Sequence, residues 1–221
     1  MTTTPIAPFT DKPVFTYFDG VRGSRGQVLR LFFADAEIEF VDDVFSRADW
    51  NLKKKMLIES GLNPFGAVPI VQIGSVVLTS HIPALKYMSR TIGKYAGSTL
   101  EDEYRIDLMA DLIVDWRSSF ERLNPEHPAF VHCRPDTFHQ LAIPRFYHAF
   151  EGLLDRGNFV LGAEFSYADI LLYQALVDEG ALDEKKELLD PYPRLREFVT
   201  AFEARPRISA YLEERKRKLG Y

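Results

Sequence analysis

Cysteine is nearly absent: Cys133 is the single one among 221 residues. An internal disulfide framework and a Cys-x-x-Cys redox or zinc motif are both excluded, and the composition suits a reducing compartment. Basic charge is scarce too, with 27 Lys and Arg against 32 Asp and Glu and a formal net charge of −5. There is no basic stripe for nucleic acid, and the cluster Arg215 to Lys218 reads as a helix end favoured by the macrodipole. No uncharged apolar run reaches the ~18 residues of a membrane span. The opening MTTTPIAPFTDKP has neither the charged nor the apolar region of a secretory signal. A soluble, unexported, cytoplasmic protein with no nucleic-acid or membrane partner is expected. His127, His132, His139 and His148 fall in a long polar region rather than on one helical face, so no metal site is expected.

What the chain does contain is apolar residues, 46% of the total, enough for one large or two small cores. Residues 1–12 read as a tail. Val14 to Phe18, VFTYF, is a β-branched and aromatic run that reads as a strand. The loop DGVRGSRG follows, then Val28, Leu31 and Phe32 recur at helical spacing, and IEFVDDVF supplies a second strand. A helical connection between two strands favours parallel pairing. A lysine-rich stretch over 48–60 precedes NPFGAVPIVQIG and SVVLTS, with Gly74 and Ser75 placed as a hairpin turn. Ser80 reads as an N-cap, and Pro83 stands in the first turn of a helix running to about Arg90. The order over 13–94 is β-α-β-α-β-β-α.

From Glu101 the period changes. Leu108, Leu112, Trp116 and Phe120 recur every four residues, flanked by Met109 and Ile113, as in an amphipathic helix. Residues 95–100, small and polar, read as a linker, and 101–221 as an all-helical second domain. Ser166 to Asp169 is a capping box with Asp in place of Glu or Gln, and Phe165 and Ile170 are placed for its hydrophobic staple. Asp107, Asp111 and Asp115 form one acidic stripe with no basic residue three or four positions away, which calls for an external cation or a partner.

Taken in order, several features resemble the cytosolic glutathione transferases from about Pro13 to about Leu212. They are TYF before an Arg- and Gly-containing loop, the VP of GAVPIV, the serine opening the helix after the hairpin, FSYAD, and the ending PYPRLREFVTAFEARPRISAYL. No single motif is specific; their order and spacing are. TYF with DW and KK downstream, then DLIVD, is most similar to the sigma-like, tyrosine-using branch. The resemblance implies a thioredoxin-like α/β N-terminal domain, an all-α C-terminal domain, glutathione as co-substrate without a metal, and a homodimer. It also implies conjugation of hydrophobic electrophiles of the kind used in detoxification. A glutathione-dependent isomerase or peroxidase on the same fold, or a non-catalytic relative, are the alternatives.

A free thiol titrates near ~8.5, so little is thiolate at neutral pH, and the thiolate is the nucleophile. The resemblance makes Tyr17 the hydroxyl that hydrogen-bonds the sulfur, with Ser24 as rival because other branches use a serine of that loop. Arg25 matches the arginine beside the tyrosine, and Arg22 competes with it. Trp50 and Lys54 match the pair that reaches the glycine carboxylate, with Lys53 and Lys55 as competing neighbours. Val68, before the Pro69 that matches a family cis-proline, implies backbone contacts to the cysteinyl part. Ser80 implies a hold on the γ-glutamyl carboxylate through its hydroxyl and N–H groups, preceded by Thr79 where the family has Gln or Glu. Asp115 matches the acidic residue that reaches the γ-glutamyl ammonium of glutathione in the other subunit. Phe18, Trp116 and Ser119 are expected in the wall of the electrophile pocket.

Overall fold

The computed structural model describes residues 9–19, 25–121 and 141–219. Arg22, Ser24, Cys133, His127, His132 and His139 lie outside them. The chain forms two compact units, one of residues up to Lys94 together with those from Arg205 onward, the other Tyr95–Ala204.

In the first unit, β1 (Val14–Phe18), β2 (Val41–Phe45), β3 (Ile70–Ile73) and β4 (Val76–Thr79) form one sheet in the order β2-β1-β3-β4. β1 pairs parallel with β2, from Val14 opposite Val41 to Phe18 opposite Phe45, and antiparallel with β3, Thr16 facing Ile70. β3 turns into β4 through Gly74 and Ser75, as the sequence suggests. The helices are α1 (Arg25–Ala36), α2 (Trp50–Glu59) and α3 (His81–Ile92). Phe15, Val71, Leu29, Leu31, Phe32 and Leu85 are fully buried. Each such side chain contributes about 1.5–3 kcal/mol on leaving water. Arg30, at the edge of this core, donates twice to Asp42 at 2.9 Å and ties α1 to β2.

Among the described residues the second unit holds α4 (Leu100–Glu121), α5 (Ile143–Leu153), α6 (Tyr167–Glu179) and α7 (Pro193–Glu203). α6 is buried on every side from Tyr167 to Leu176, in keeping with its largely apolar sequence. Its start is the capping box read from the sequence. The Asp169 carboxylate accepts from the Ser166 N–H at 2.7 Å, the Ser166 hydroxyl at 2.8 Å and the Val160 N–H at 2.8 Å, all buried. On α4 the buried face is Ile106, Met109, Ala110, Ile113, Trp116 and Arg117, not the Leu108-Leu112-Trp116-Phe120 line. A strict four-residue step overruns the 3.6-residue turn and drifts off the face, whereas steps of three and four alternate to stay on it.

The last helix, α8 (Pro206–Leu219), falls within the expected 101–221 and packs against α1, grouping with the first unit by its contacts. Arg205 donates to both oxygens of buried Asp35 at 2.9 and 2.6 Å, and Arg207 donates to the Asp35 carbonyl at 3.2 Å. Further along, Tyr211 and Arg215 both bond the Gln27 side chain. A buried carboxylate needs a partner, and for Asp35 that partner lies 170 residues away.

Asp169→Ala leaves three buried donors without an acceptor, and is expected to lower unfolding free energy by about 2–4 kcal/mol in denaturant titration. Glu179, buried on α6, carries a second expectation. Burial pushes its carboxyl above the ordinary value, with the Lys185 ammonium at 3.4 Å pulling the other way. The folded state then holds this proton more tightly than the unfolded chain, so the stabilisation is present at acid pH and lost as pH rises through the raised value. Glu179→Gln is expected to melt higher than the parent at neutral pH, and this advantage should shrink on acidification.

Candidate active site

The sheet register gathers the candidate residues at one end. Thr16 and Thr79 both pair with Ile70, so one step beyond the ladder Tyr17 and Ser80 each stand level with Pro69. β2 runs parallel to β1 and delivers the turn Arg47–Asp49, then Trp50, at the same end.

Tyr17 is 7% exposed. Its ring stacks on Phe15 (centroids 6.0 Å apart, planes 11°) and meets Phe18 edge-on at 5.4 Å. A third side rests on the backbone of Gly26 in the first turn of α1. A β-carbon there would stand 2.2 Å from Cδ1 and 2.5 Å from Cε1 of the ring. Arg25, one residue earlier, opens α1 with its side chain exposed.

Trp50 begins α2 in an aromatic group with Phe18 and Phe45, at 5.2 and 5.9 Å between centroids, and the Arg47 guanidinium lies 5.0 Å over Phe18. The three consecutive lysines separate by role. Lys53 donates to Asp43 at 2.9 Å, and Lys55 pairs with Glu59 along the helix at 3.7 Å. Partial burial works against the Asp43 charge, yet hydrogen bonds from Lys53 and Thr16 hold its carboxyl below the ordinary value. Lys54 is exposed, with its stem against Gly66, whose φ of 56° suits a glycine and brings the backbone close. Among the described residues Lys54 has no acidic partner, which leaves its ammonium for a ligand.

The Val68–Pro69 peptide bond is cis. The loop before it is braced by buried Asn63, which donates to the Ala67 carbonyl at 2.6 Å and accepts from the Phe65 N–H at 3.0 Å. Thr79 closes β4. Ser80 holds the N-cap position of α3 with φ 65°, and its carbonyl accepts from the Ala84 N–H. The N-cap position is the one read from the sequence, although the side chain makes no capping hydrogen bond. A first-turn N-terminus of this kind attracts a carboxylate.

In the helical unit, Asp115 is exposed on α4 and shares with Arg145, Ser118 and Ser119 the lining of a cavity of about 280 Å³. Asp107, the first of the acidic stripe, accepts from the Tyr167 hydroxyl at 3.0 Å. Trp116 is fully buried and so is removed from the expected pocket wall; Ser119 remains at the surface of the helix. No cluster of metal-ligating side chains occurs among the described residues, and no helix among them is long and apolar enough to cross a membrane.

A family model described as the C-terminal domain of glutathione S-transferase matches residues 115–215. The chain is 31% identical to the Xenopus laevis glutathione S-transferase P 1 over 204 residues, covering 90% of this chain and 91% of the relative. The chain belongs to the glutathione S-transferase family. A glutathione S-transferase of Tyrophagus putrescentiae is 29% identical over 222 residues, covering 95% and 94% of the two chains. The structure of the Onchocerca volvulus pi-class glutathione S-transferase superposes with a TM-score of 0.80 at 26% identity, covering 94% of this chain and 95% of that one. The fold is accordingly the thioredoxin-like domain followed by the helical domain of glutathione S-transferases.

Two residues of this family member escape a reading of motifs. Gly26 passes for one of several loop glycines, and Asn63 for the start of a turn, although the Asn-Pro pair is itself a turn signal. The lysines give a direct test. Lys54→Met is expected to raise the KM for glutathione about tenfold, the loss of one charge-assisted contact of ~1.4 kcal/mol, with melting unchanged. Lys53→Met is expected to leave that KM within about twofold and to lower the melting temperature instead. This deficit should fade as pH falls through the depressed pKa of Asp43, because the pairing it removes exists only while that carboxyl is ionised.

Proposed function

We propose that this glutathione S-transferase uses Tyr17 to hold the glutathione thiol as a thiolate, for attack on hydrophobic electrophiles. The observation that carries the reading is the alignment of Tyr17, Pro69 and Ser80 at one end of the sheet, with the Tyr17 ring packed against Phe15, Phe18 and Gly26. A phenol hydroxyl that donates to sulfur favours the anion, and each unit taken off the thiol pKa is worth about 1.36 kcal/mol. Arg25 adds positive charge beside it. The N–H and C=O of Val68 take the cysteinyl backbone as an added strand would, and Pro69 shapes that edge. Trp50 and Lys54 receive the glycine carboxylate, and Thr79 with Ser80 the γ-glutamyl carboxylate at the α3 N-terminus. In the conjugation step the sulfur forms a bond to the electrophilic carbon, and a leaving group departs with its electron pair or the adduct takes up a proton.

The chain fits the sigma-like branch, acts in the cytoplasm, and works as a homodimer in which Asp115 reaches the γ-glutamyl ammonium held by the other subunit. Supporting this last role is the exposure of Asp115 on α4 without an ion-pair partner among the described residues.

Tyr17→Phe is expected to cut kcat by about one to two orders of magnitude at neutral pH while glutathione affinity stays close to the parent. Steady-state assays with an aryl halide, an isothiocyanate, an organic hydroperoxide and an endoperoxide measure this and identify the preferred electrophile. Unchanged turnover in Tyr17→Phe, together with an inactive Ser24→Ala, overturns the assignment.

A further inference from the structure

We propose that Gly26 is a positioning residue for thiol activation: the absence of a side chain at this point of α1 is the seat on which the Tyr17 ring lies, and it sets where the hydroxyl stands. The inference rests on the reading of Tyr17 as the thiol's partner.

Gly26 is buried, and it sits second in a helix, where alanine is the better helix former. Helix formation therefore does not account for it. Contact does. A β-carbon at Gly26 would meet Cδ1, Cε1 and Cγ of Tyr17 at 2.2, 2.5 and 2.6 Å, far inside van der Waals distance, so any other residue must displace either the ring or the helix. The helix is the less movable of the two. Its next residue, Gln27, is bonded by Tyr211 and Arg215, Arg30 is forked onto Asp42, and Asp35 is held by Arg205. On its other sides the ring packs on Phe15 and Phe18, through aromatic contacts with no hydrogen bond in them. The ring gives way first, and it swings about its own β-carbon. The hydroxyl is at the far end of that lever, so it moves further than the clashing edge and leaves hydrogen-bond geometry with sulfur.

The test compares parent, Gly26→Ala, Tyr17→Phe and the double variant. The readouts are the thiolate absorbance of bound glutathione against pH, the pH profile of kcat/KM, and calorimetric affinity. Gly26→Ala is expected to raise the bound thiol pKa by about one unit or more toward the free value of ~8.5, with glutathione Kd within about threefold of the parent. In the Tyr17→Phe background the alanine is expected to add no further shift, since the hydroxyl it displaces is gone. A pKa shift in Tyr17→Phe with none in Gly26→Ala overturns this proposal and leaves the Tyr17 reading standing. No shift in Tyr17→Phe overturns that reading, and this proposal with it. Should Gly26→Ala fail to fold, Tyr17→Ala and Tyr17→Ala/Gly26→Ala are compared by thermal unfolding. With the ring removed, alanine at 26 is expected to raise the melting temperature, and a double variant no more stable than Tyr17→Ala overturns the contact on which the proposal stands.

Discussion

Hydrogen bonding along both edges of β1 is the constraint from which the site descends. One strand shares its backbone with a parallel neighbour and an antiparallel one, so its register is fixed twice. A slip of one residue against either partner would turn Tyr17 to the opposite face and put a different side chain against α1. The neighbours inherit that precision. β2 hands its end to the turn carrying Trp50, and β3 begins one residue after the cis bond at Pro69. Side-chain ties outside the ladder add to this: Thr16 on β1 and Lys53 on α2 both bond Asp43 on β2, so the helix that presents Lys54 is anchored through a carboxylate to the central strands.

The helical unit is organised by a different rule. Its central helix, α6, is apolar nearly all round, and such a helix has little of a face to tell it where to start. The polar knot at its N-terminus supplies the missing information. Asp169 collects three buried donors, one of them from Val160 in the preceding segment, and so fixes both where the helix begins and how the chain enters it. Arg117 on α4 performs a similar service by pairing with Asp178, which also accepts from Gln174. Two polar clusters, one buried and one partly buried, thus give register to a surface that apolar packing alone would leave free to rotate.

What was legible in the sequence follows from the range of the interaction involved. Strand, hairpin turn and capping box are encoded within a few residues, so VFTYF, Gly74-Ser75 and FSYAD could be read where they stand. The parallel β1–β2 pair and the β3–β4 hairpin followed from one helical connection and one tight turn, whereas the pairing of β1 with β3 did not. Features made by distant partners were not legible. The Lys53 side chain is claimed by Asp43, which no count of consecutive lysines reveals. Trp116 looked like a pocket wall because it sits on a promising helix, but the face it occupies is set by what packs against α4. Ser80 was legible as a helix start but not as a residue with φ 65°, because a serine carries no sign of a backbone conformation that glycine usually adopts. Gly26 is the extreme case, since its contribution is an atom that is missing.

The placement of α8 bears on how the protein is made. Ribosomal synthesis delivers domains from the amino end, and each ordinarily folds once its own residues are out. Here the strands and α1 emerge early, while residues 205–219, which neutralise Asp35 and bond Gln27, emerge only after the entire helical unit. The nascent α1 thus waits with a carboxylate and an amide that its neighbours in sequence cannot satisfy. The helical unit, contiguous from Tyr95 to Ala204, can complete its core first. The domain begun first is finished second, and the helix that seats Tyr17 acquires its final rigidity only after the helical unit has been made.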